Sequence, residues 1–477
     1  MKFSSKHPVF IYAAAALLGF YAAANPTPWI FIPIIPFLFL DLKRALLCGA
    51  LFATFYAYST VTTPIPSIPP SGVDGEFLFT PSSVSASRSS FRSQWNYQGT
   101  VKFEGFTLPC QVSLPKQQTT VRPPADRAYL VKGTLKPGHG YRYSLYPDKE
   151  APWFPVEGTH TWAEWRYASK QRVKEYVSKY YPSYQSTEFL GGILTGDFED
   201  QAVKRSFGRA GLQHILAISG FHFTILTTVV LFLLRLALPP KYALNLLLLF
   251  LCSYFVFLGL GASILRAWLM SLIAIIGLLS RQTPVALNSL GFAVLAVLLI
   301  DPHLTYSIGF VFSFSVTASI LLFFPIFKEL LDRVFSPKDI NTLKQLNFWD
   351  QHAYVIVSAA KNVIALSLAV NVAAIPLTLY FFGKFPLISL LCNLVVPLMV
   401  SVCMLLFVLG IFVPWLHYLN RSLVSMLLDF VNQLPAPLHV HWRMTLNKPV
   451  LFCWLTAAVI VGIWGWKRTQ SRLEILC

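Results

Sequence analysis

The stretch that decides the fold is Lys204–Phe223, KRSFGRAGLQHILAISGFHF. It begins basic and amphipathic and runs into an apolar segment that continues to Leu238, long enough to cross a bilayer. His214, Ser219 and His222 therefore bring polar atoms into or beside a membrane segment, where such groups mark candidate functional sites. On a helix, Ser219 and His222 share one face. The alternative is a helix end whose histidines lie among the lipid headgroups.

The composition of the whole chain predicts a polytopic membrane protein. Its 477 residues are 55% hydrophobic and 12% charged, with a mean hydropathy of +0.57, which is unusual for a soluble protein of this length. The formal net charge is +17, but membrane proteins concentrate basic residues in cytoplasmic loops, so charge alone does not indicate a nucleic-acid partner. Of seven cysteines, only Cys110 lies in the predicted soluble region, which leaves no disulfide framework or Cys-rich zinc site there.

Three apolar segments precede the soluble region: Pro8–Ala24, Pro28–Leu40 and Ala45–Val61. The first follows basic residues as a signal peptide would, but two further apolar runs come at once, so we interpret it as a retained span. Pro33 and Pro36 interrupt the second segment and predict a broken or tilted span. The positive-inside rule predicts a cytoplasmic N-terminus and an exported region after the third span.

Residues 63–182 differ in composition and predict this exported domain. Pro and Ser crowd Thr63–Ser90, which predicts a linker of weak structure. Strand-like runs bounded by Gly, Pro and polar turns follow at Thr100–Phe106, Cys110–Leu114, Ala128–Leu135 and Tyr141–Tyr146. Their spacing predicts a small barrel or sandwich, and a five-stranded barrel of the OB type fits the size. Trp162–Tyr181 predicts an amphipathic helix on the membrane surface, with contact to nucleic-acid phosphate as the alternative.

The exported domain alternates aromatic and basic residues, the combination with which single-strand-binding proteins stack bases and hold phosphates. Our candidate nucleic-acid-binding face consists of Arg127, Tyr129, Lys132, Tyr141, Arg142 and Tyr143. The alternative is that the aromatic residues form the core of the barrel, because alternate residues of a strand face inward.

From Leu212 onward, hydropathy predicts nine spans. They are Leu212–Leu238, Tyr242–Gly261, Ser263–Leu279, Val285–Ile300, Leu304–Phe327, Ala353–Phe381, Leu387–Val413, Trp415–Leu434 and Val450–Trp466. With the N-terminal segments the total is about twelve spans with both termini cytoplasmic, an arrangement that puts most basic residues of the bundle inside. The predicted fold is thus a polytopic α-helical membrane protein with one small exported β-barrel.

Two further polar residues in the bundle are candidates for a transport path, Arg266 and Asn393. Arg266 follows the small residues Gly261, Ala262 and Ser263, which permit close helix packing. An arginine at this depth is costly unless it is paired or faces water, and it suits a path for a polyanion. The alternative is an arginine that extends from a helix end to the headgroups.

The stretch GRAGLQHILAISGFHF resembles the signature of the ComEC family of competence proteins, inner-membrane proteins associated with the passage of incoming single-stranded DNA. Further similar elements are Leu194-Thr195-Gly196-Asp197, Arg266-Ala267 with Met270, Asp301-Pro302 with Gly309-Phe310 and Ser313-Phe314, and Asn371, Pro376, Asn393 and Pro397. The resemblance covers most of Leu190–Pro397. It implies an OB-type domain outside the bacterial inner membrane and a channel for single-stranded DNA during natural transformation.

The resemblance divides the chain into N-terminal transmembrane helices (1–62), the exported β domain with its linker and amphipathic helix (63–182), a competence-type channel domain (183–434), and a last helix with a cytoplasmic tail (435–477). It implies single-stranded DNA and membrane lipids as partners, with a separate DNA receptor, nuclease and cytoplasmic DNA-processing or motor proteins. Longer ComEC proteins continue into a metallo-β-lactamase-like domain marked by His-x-His-x-Asp-His. Here His439-Val440-His441 lacks the following Asp-His, so we expect any nuclease to be a separate protein.

We predict no enzymatic activity, no cofactor and no metal site. The sequence has no Gly-x4-Gly-Lys-Ser/Thr phosphate-binding loop. Asp197, Glu199 and Asp200 are acidic enough for a metal, but three acids in one loop are more typical of a solvated helix start.

Two other functions remain open. One is an intramembrane hydrolase with Ser219 or Ser263 as nucleophile and His222 as base, which requires the two groups to meet at hydrogen-bond distance. The other is a transporter of lipid-linked or small substrates, for which internal repeats with broken helices in matching halves would be the sign.

Overall fold

A computed structural model describes residues 3–476, except for 25–26, 64–65, 67, 89–92, 117–121, 139–141, 149–150, 217–219, 337–342, 344, 346 and 436–439. Two sequence-predicted site residues, Tyr141 and Ser219, lie outside the described residues. A sheet domain lies between three N-terminal segments and a large set of helices.

The helices before the sheet domain are α1 (Phe3–Lys6), α2 (Pro8–Ala24), a 3₁₀ helix (Pro28–Phe39) and α3 (Leu42–Thr62). Those after it are α4 (Ala163–Tyr180), α5 (Tyr184–Thr195), α6 (Gln201–Arg209), α7 (Gln213–Leu216), α8 (Gly220–Ala237), α9 (Pro240–Leu258), α10 (Ala262–Leu279), α11 (Ala286–Ile300), a 3₁₀ helix (Pro302–Tyr306), α12 (Ile308–Val334), α13 (Phe348–Phe382), α14 (Ser389–Phe412), α15 (Leu416–Asn432) and α16 (Lys448–Leu476).

Within the described parts of the chain, eight helices are long and apolar enough to cross a membrane: α3, α8, α9, α10, α12, α13, α14 and α16. Three shorter apolar helices are α2, the 3₁₀ helix Pro28–Phe39 and α11. The predicted total of about twelve spans also counts these three and α15. The helices fit a multi-pass membrane protein, and the exact number of spans stays a prediction.

The N-terminal segments run back and forth along one another. A Cβ added at Gly19 would lie 2.2 Å from the carbonyl oxygen of Phe52, so α2 and α3 touch through their backbones. Arg44 Nη1 donates to Ser4 Oγ at 2.5 Å, which brings the start of α3 back to the start of the chain. The intervening segment is the predicted broken span, and it forms a 3₁₀ helix that contains Pro33 and Pro36.

The two ends of the chain meet at one end of the bundle. The rings of Phe3 and Trp466 are 5.1 Å apart, and Lys6 Nζ lies 5.5 Å from the Trp466 ring. At the opposite end of α2, the Tyr21 hydroxyl donates to the Thr305 carbonyl at 2.5 Å. The start of the chain and Trp466 therefore share one end, as both termini cytoplasmic would require, while the side of the membrane stays a prediction.

The sheet domain contains β1 (Val73–Arg88), β2 (Ser93–Phe103), β3 (Phe106–Pro115), β4 (Tyr129–Pro137), β5 (Tyr143–Pro147) and β6 (Phe154–Pro155). Antiparallel ladders join β1 to β2, β2 to β3, β4 to β5 and β4 to β1, and a parallel ladder joins β3 to β5. The pairing order β1-β2-β3-β5-β4 thus returns to β1. A close approach between β4 and β5 requires Gly133, where an added Cβ would lie 2.2 Å from the Tyr146 carbonyl oxygen.

The prediction of a weakly structured linker over Thr63–Ser90 is wrong for most of its length. Residues 73–88 form β1, which pairs with two other strands. Phe77, Phe79, Val84 and Ala86 face the core at alternating positions, and the register shifts between Pro81 and Ser83. The serines fill the outward positions, so the Ser/Pro composition concealed a period-2 pattern interrupted by a bulge.

The helix predicted over Trp162–Tyr181 is confirmed as α4, which packs between the sheet domain and the bundle, while its place on the membrane surface stays a prediction. Arg166 Nη1 donates to the Ser82 carbonyl of β1 at 3.0 Å, and its Nε donates to the Val256 carbonyl of α9 at 3.0 Å. Glu164 accepts two hydrogen bonds from Arg122, at 2.9 and 2.6 Å. These contacts fix the sheet domain against the end of α9.

A buried ion pair holds the middle of α4 to the loop between α5 and α6. Lys174 Nζ lies 2.9 Å from Glu199 Oε1, and Gln171 Nε2 donates to the same oxygen at 3.1 Å. The Glu199 carbonyl in turn accepts from the backbone nitrogen of Arg88 in β1, at 2.8 Å. This loop therefore joins α4, the sheet domain and the helices that carry the deciding stretch.

Candidate functional site

Arg266 lies where α8, α10 and α12 meet. Its Nε donates to Ser313 Oγ at 2.8 Å, and its Nη1 lies 3.9 Å from Met270 Sδ. A Cβ added at Gly220 would lie 2.9 Å from Nη2, so the first residue of α8 must be small for the guanidinium to fit. The side chain is 8% exposed.

The charge of Arg266 is not neutralised by a carboxylate in the described part of the chain. No described Asp or Glu lies within 4.0 Å of its guanidinium, which remains protonated in proteins. A buried unpaired charge costs several kcal/mol unless it is hydrogen-bonded or meets a counter-ion. The arrangement is therefore suited to an anion that comes to the site.

Two histidines approach each other just before this point. His222 is 1% exposed on α8 and is close enough to His214 of α7 for their charges to interact. His214 lies on the short helix α7, between the loop at Gly211 and the start of α8.

Asn393 lies on α14, beside the same short helix α7. Its Oδ1 is buried and has no hydrogen-bond partner among the residues described. The neighbouring Cys392 belongs to one core cluster with Ile215 and Leu216 of α7. Gly211, with a φ of +72°, permits this approach, because a Cβ there would lie 2.5 Å from the Ser389 Cβ.

The five predicted transport-path residues are thus partly brought together. Arg266 touches the start of α8, His214 and His222 lie near each other, and Asn393 lies on a helix that packs against α7 and α8. Ser313, the partner of Arg266, is not among the site residues predicted from the sequence. The available signal for Ser313 was its position in Ser313-Phe314, a pair that is similar to an element of the ComEC family.

Of the predicted nucleic-acid-binding face, Tyr129 and Tyr143 lie in the core of the sheet domain. The Tyr129 hydroxyl donates to the Pro124 carbonyl at 2.6 Å. Neither ring is available to stack on a base, so the choice of these two tyrosines is wrong. The physical reason is strand alternation: Tyr143 shares the inward face of β5 with Leu145.

The basic members of that face are exposed. Lys132 and Arg142 point to solvent, and Arg127 forms an exposed ion pair with Asp126 at 2.9 Å. An aromatic ring does accompany them, because Tyr146 is 57% exposed and lies under Lys136 Nζ at 5.7 Å. Alternation along β5 would have selected Tyr146 in place of Tyr143.

The acidic loop before α6 is only in part the predicted solvated helix start. Asp200 does cap α6, accepting from the Ala202 nitrogen at 2.6 Å. Asp197 is instead buried, and burial raises the pKa of its carboxyl. Among the described residues, no group of three or more His, Cys, Asp or Glu side chains is arranged to hold a metal ion.

The geometry required of a hydrolase is not seen where the structure describes the chain. Ser263 Oγ donates to the Gly309 carbonyl at 3.4 Å, and no described histidine is hydrogen-bonded to it. Ser219, the other candidate nucleophile, is outside the described residues.

Comparison with known proteins decides the family. The sequence profile of the family described as Competence protein matches residues 194–469, which include α7, α8, Arg266 and Asn393. This chain belongs to the competence protein family. The resemblance read from GRAGLQHILAISGFHF is thereby confirmed, and the competence match covers more than half of the chain.

A curated relative supports the same assignment. Over 223 residues the chain is 28% identical to ComE operon protein 3 of Bacillus subtilis (strain 168), covering 46% of this chain. The match spans 25% of the length of that competence relative. No solved structure matches the chain.

Proposed function

We propose that this chain is an inner-membrane channel that translocates single-stranded DNA into the cytoplasm during natural transformation. The observation that carries the proposal is Arg266, a buried guanidinium without a described carboxylate partner, inside the segment matched by the competence family. Guanidinium groups bind phosphate through parallel N–H donors. Nη2 lies beside Gly220, which has no side chain to occupy this donor.

A single strand presents bases as well as phosphates, so its path needs polar uncharged groups beside cationic ones. His214 contributes an imidazole on α7, and Asn393 contributes an amide oxygen without a described partner. Both lie in the part of the chain that adjoins Arg266 through α7 and α8. Their chemistry supports a wet path rather than a binding site for an apolar lipid tail.

The sheet domain, in this proposal, is an OB-type barrel outside the membrane. Support comes from its five strands paired on both edges in the order β1-β2-β3-β5-β4-β1. Lys132, Lys136, Arg142 and Tyr146 would receive the strand, since exposed cations and an aromatic ring suit a single-strand binder. The outside location is supported by Arg235 and Lys241, which join α8 to α9 at the end away from the sheet domain.

The proposed channel catalyses no reaction itself. A separate DNA receptor, nuclease and cytoplasmic DNA-processing or motor proteins would deliver and receive the strand, and membrane lipids would cover the apolar helix faces. No specific observation favours the hydrolase or the lipid transporter over the channel.

The test is uptake of fluorescent DNA by cells that carry the wild type, Arg266→Gln or Arg266→Lys at equal membrane levels. We expect Arg266→Gln to lower uptake by about tenfold or more, because hydrogen bonds to charged groups contribute about 1.5–3 kcal/mol. Arg266→Lys should retain part of the activity, since it keeps the charge but loses the paired donors. Arg333→Gln, at an exposed arginine on α12, is the matched control and should leave uptake unchanged. Full uptake by Arg266→Gln would overturn the proposal.

A further inference from the structure

A two-stranded ribbon connects the ends of three helices of the bundle. Its strands are β7 (Lys384–Pro386), which joins α13 to α14, and β8 (His441–Arg443), which precedes α16. The strands pair antiparallel, with Lys384 opposite Arg443 and Pro386 opposite His441. Phe385, in the middle of β7, is 5% exposed and anchors the ribbon to the bundle.

The ribbon lies at the end of the bundle that adjoins the sheet domain. The Phe381 ring, just before β7, is 5.9 Å from the Phe312 ring near the start of α12. Ser263 Oγ, at the start of α10, donates to the Gly309 carbonyl in the first turn of α12 at 3.4 Å. The start of α10 follows directly on the end of α9, where Arg166 of α4 packs. These contacts connect the ribbon to the helix that holds the sheet domain.

Two cations stand side by side on this ribbon. The backbone nitrogen of Met444 donates to the Gly383 carbonyl at 3.2 Å, so these two residues are a hydrogen-bonded pair. Because bonded and non-bonded pairs alternate along an antiparallel ladder, Lys384 and Arg443 form the adjacent non-bonded pair, in which side chains are closest. Both side chains are exposed, and no described carboxylate lies within 4.0 Å of either. Like charges directly opposite each other destabilise a ribbon, so the pair is suited to an anion that neutralises both.

The cation pair borders the loop that leads into α7. Pro386 lies on the same ribbon face as Lys384, because alternate residues of a strand share a face. A Cβ added at Gly211 would lie 3.0 Å from Pro386 Cγ, so this face meets the loop between α6 and α7. The loop continues into α7 with His214, and β7 continues into α14 with Asn393. An anion held by the pair would therefore lie beside the start of the proposed transport path.

We propose that Lys384 and Arg443 bind phosphates of the incoming single strand and direct it to the start of the path. This inference rests on the proposed DNA-channel function. A guanidinium offers paired N–H donors and an ammonium adds a point charge, so the two together suit phosphodiester groups. Contacts to phosphate carry no sequence information, so the ribbon would accept a strand of any sequence.

Lipid headgroups are another source of phosphate at this end of the bundle. The ribbon carries one residue typical of the membrane interface, Trp442, which is 46% exposed. Trp442 precedes Arg443 in β8 and therefore lies on the opposite face of the ribbon from the cation pair. The cations instead share their face with the contact to the loop before α7, which favours the strand over a lipid.

The first test measures the binding of a fluorescent oligothymidylate to the full-length protein in phosphatidylcholine nanodiscs at several salt concentrations. For single strands, the logarithm of the affinity falls with the logarithm of salt by about 0.7 per phosphate contact. Lys384→Gln and Arg443→Gln should each lower this slope by about 0.7, and the double variant should lower it by about 1.4. Arg333→Gln, at the opposite end of α12, is the matched control and should keep the wild-type slope. Equal slopes in the wild type and the double variant would overturn the proposal.

A charge reversal separates binding from folding. Arg443→Glu replaces the like-charge pair by an opposite-charge pair with Lys384, so the melting temperature of the protein should stay the same or rise. The affinity for oligothymidylate should nevertheless fall by about tenfold at physiological salt, because the phosphates lose both cations. Wild-type affinity in Arg443→Glu would contradict the proposal.

DNA uptake by cells separates this site from the channel itself. Normal uptake by the double variant of Lys384→Gln and Arg443→Gln, together with loss of uptake in Arg266→Gln, would overturn the ribbon site and leave the channel proposal intact. Normal uptake in both variants would overturn both proposals. If the double variant instead loses co-purified anionic phospholipid and keeps its affinity for oligothymidylate, the ribbon binds lipid and the proposal is overturned.

Discussion

The ion pair between Lys174 and Glu199 should be a stabilising joint between α4 and the loop before α6. The side chains are 9% and 15% exposed, and Nζ lies 2.9 Å from Oε1. Breaking a buried pair by removing one partner costs about 3–5 kcal/mol, because the other charge stays buried, whereas replacing both by apolar groups is often neutral. Lys174→Met keeps the stem that packs on Gly191 and removes only the charge.

The expected effect follows from the size of the unit that unfolds. The sheet domain with α4–α7 comprises about 150 residues, for which 1 kcal/mol shifts the melting temperature by about 2–4 °C. Lys174→Met should therefore lower the melting temperature of the solubilised protein by about 6 °C or more. The measurement is the loss of the folded elution peak after heating, with the exposed Lys179→Met as control.

A double variant decides whether the pair is the cause. The double variant Lys174→Met with Glu199→Leu removes both charges. We expect it to recover at least half of the melting temperature that Lys174→Met alone loses. If the decreases in melting temperature of the two single variants simply add in the double variant, the two residues do not act as a pair and the reasoning is refuted.

Three further predictions concern stability and the joint between domains. Glu199 should make the joint acid-sensitive: burial raises the pKa of its carboxyl, but the Lys174 charge and the hydrogen bonds from Lys174 and Gln171 outweigh burial and leave the pKa below its usual value. The stabilisation is thus complete above about pH 4.3, the pKa of Glu in the unfolded chain, and it is lost as pH falls through the lower pKa of the folded state. The melting temperature of Lys174→Met, measured against pH, should lack this acid dependence. Gly19→Leu should separate α2 from α3 and cost about 2 kcal/mol or more, seen as a lower melting temperature, because its Cβ would meet backbone. Arg166→Met should leave the Ser82 and Val256 carbonyls without their donor and increase protease cleavage between the sheet domain and the bundle; unchanged cleavage would show that Arg166 does not fix the joint.

The sequence was most informative where one periodicity dominates. The aromatic and basic pattern of residues 162–181 predicted α4 to within a residue or two, and hydropathy found the long spans. Arg266 stood out because a charge in an apolar run is rare. The partners of these residues could not be predicted, since Ser313 reaches Arg266 across 47 positions of the chain.

The errors have a common cause in competing signals. Ser at the outward positions of β1, together with Pro81, concealed Phe77 and Phe79, which point to the core. Composition also favoured Tyr129 and Tyr143 as base-stacking rings, although alternation buries both.

The central claim is that DNA passes beside Arg266. The most direct measurement puts a photoreactive amino acid at Met270, which contacts the Arg266 guanidinium, in cells that are taking up labelled DNA. A matched probe at Leu246, an exposed apolar position on α9, controls for collisions from outside. The channel predicts single-stranded DNA cross-linked at Met270 and not at Leu246. DNA uptake without any cross-link at Met270, or with equal cross-links at both positions, would contradict it.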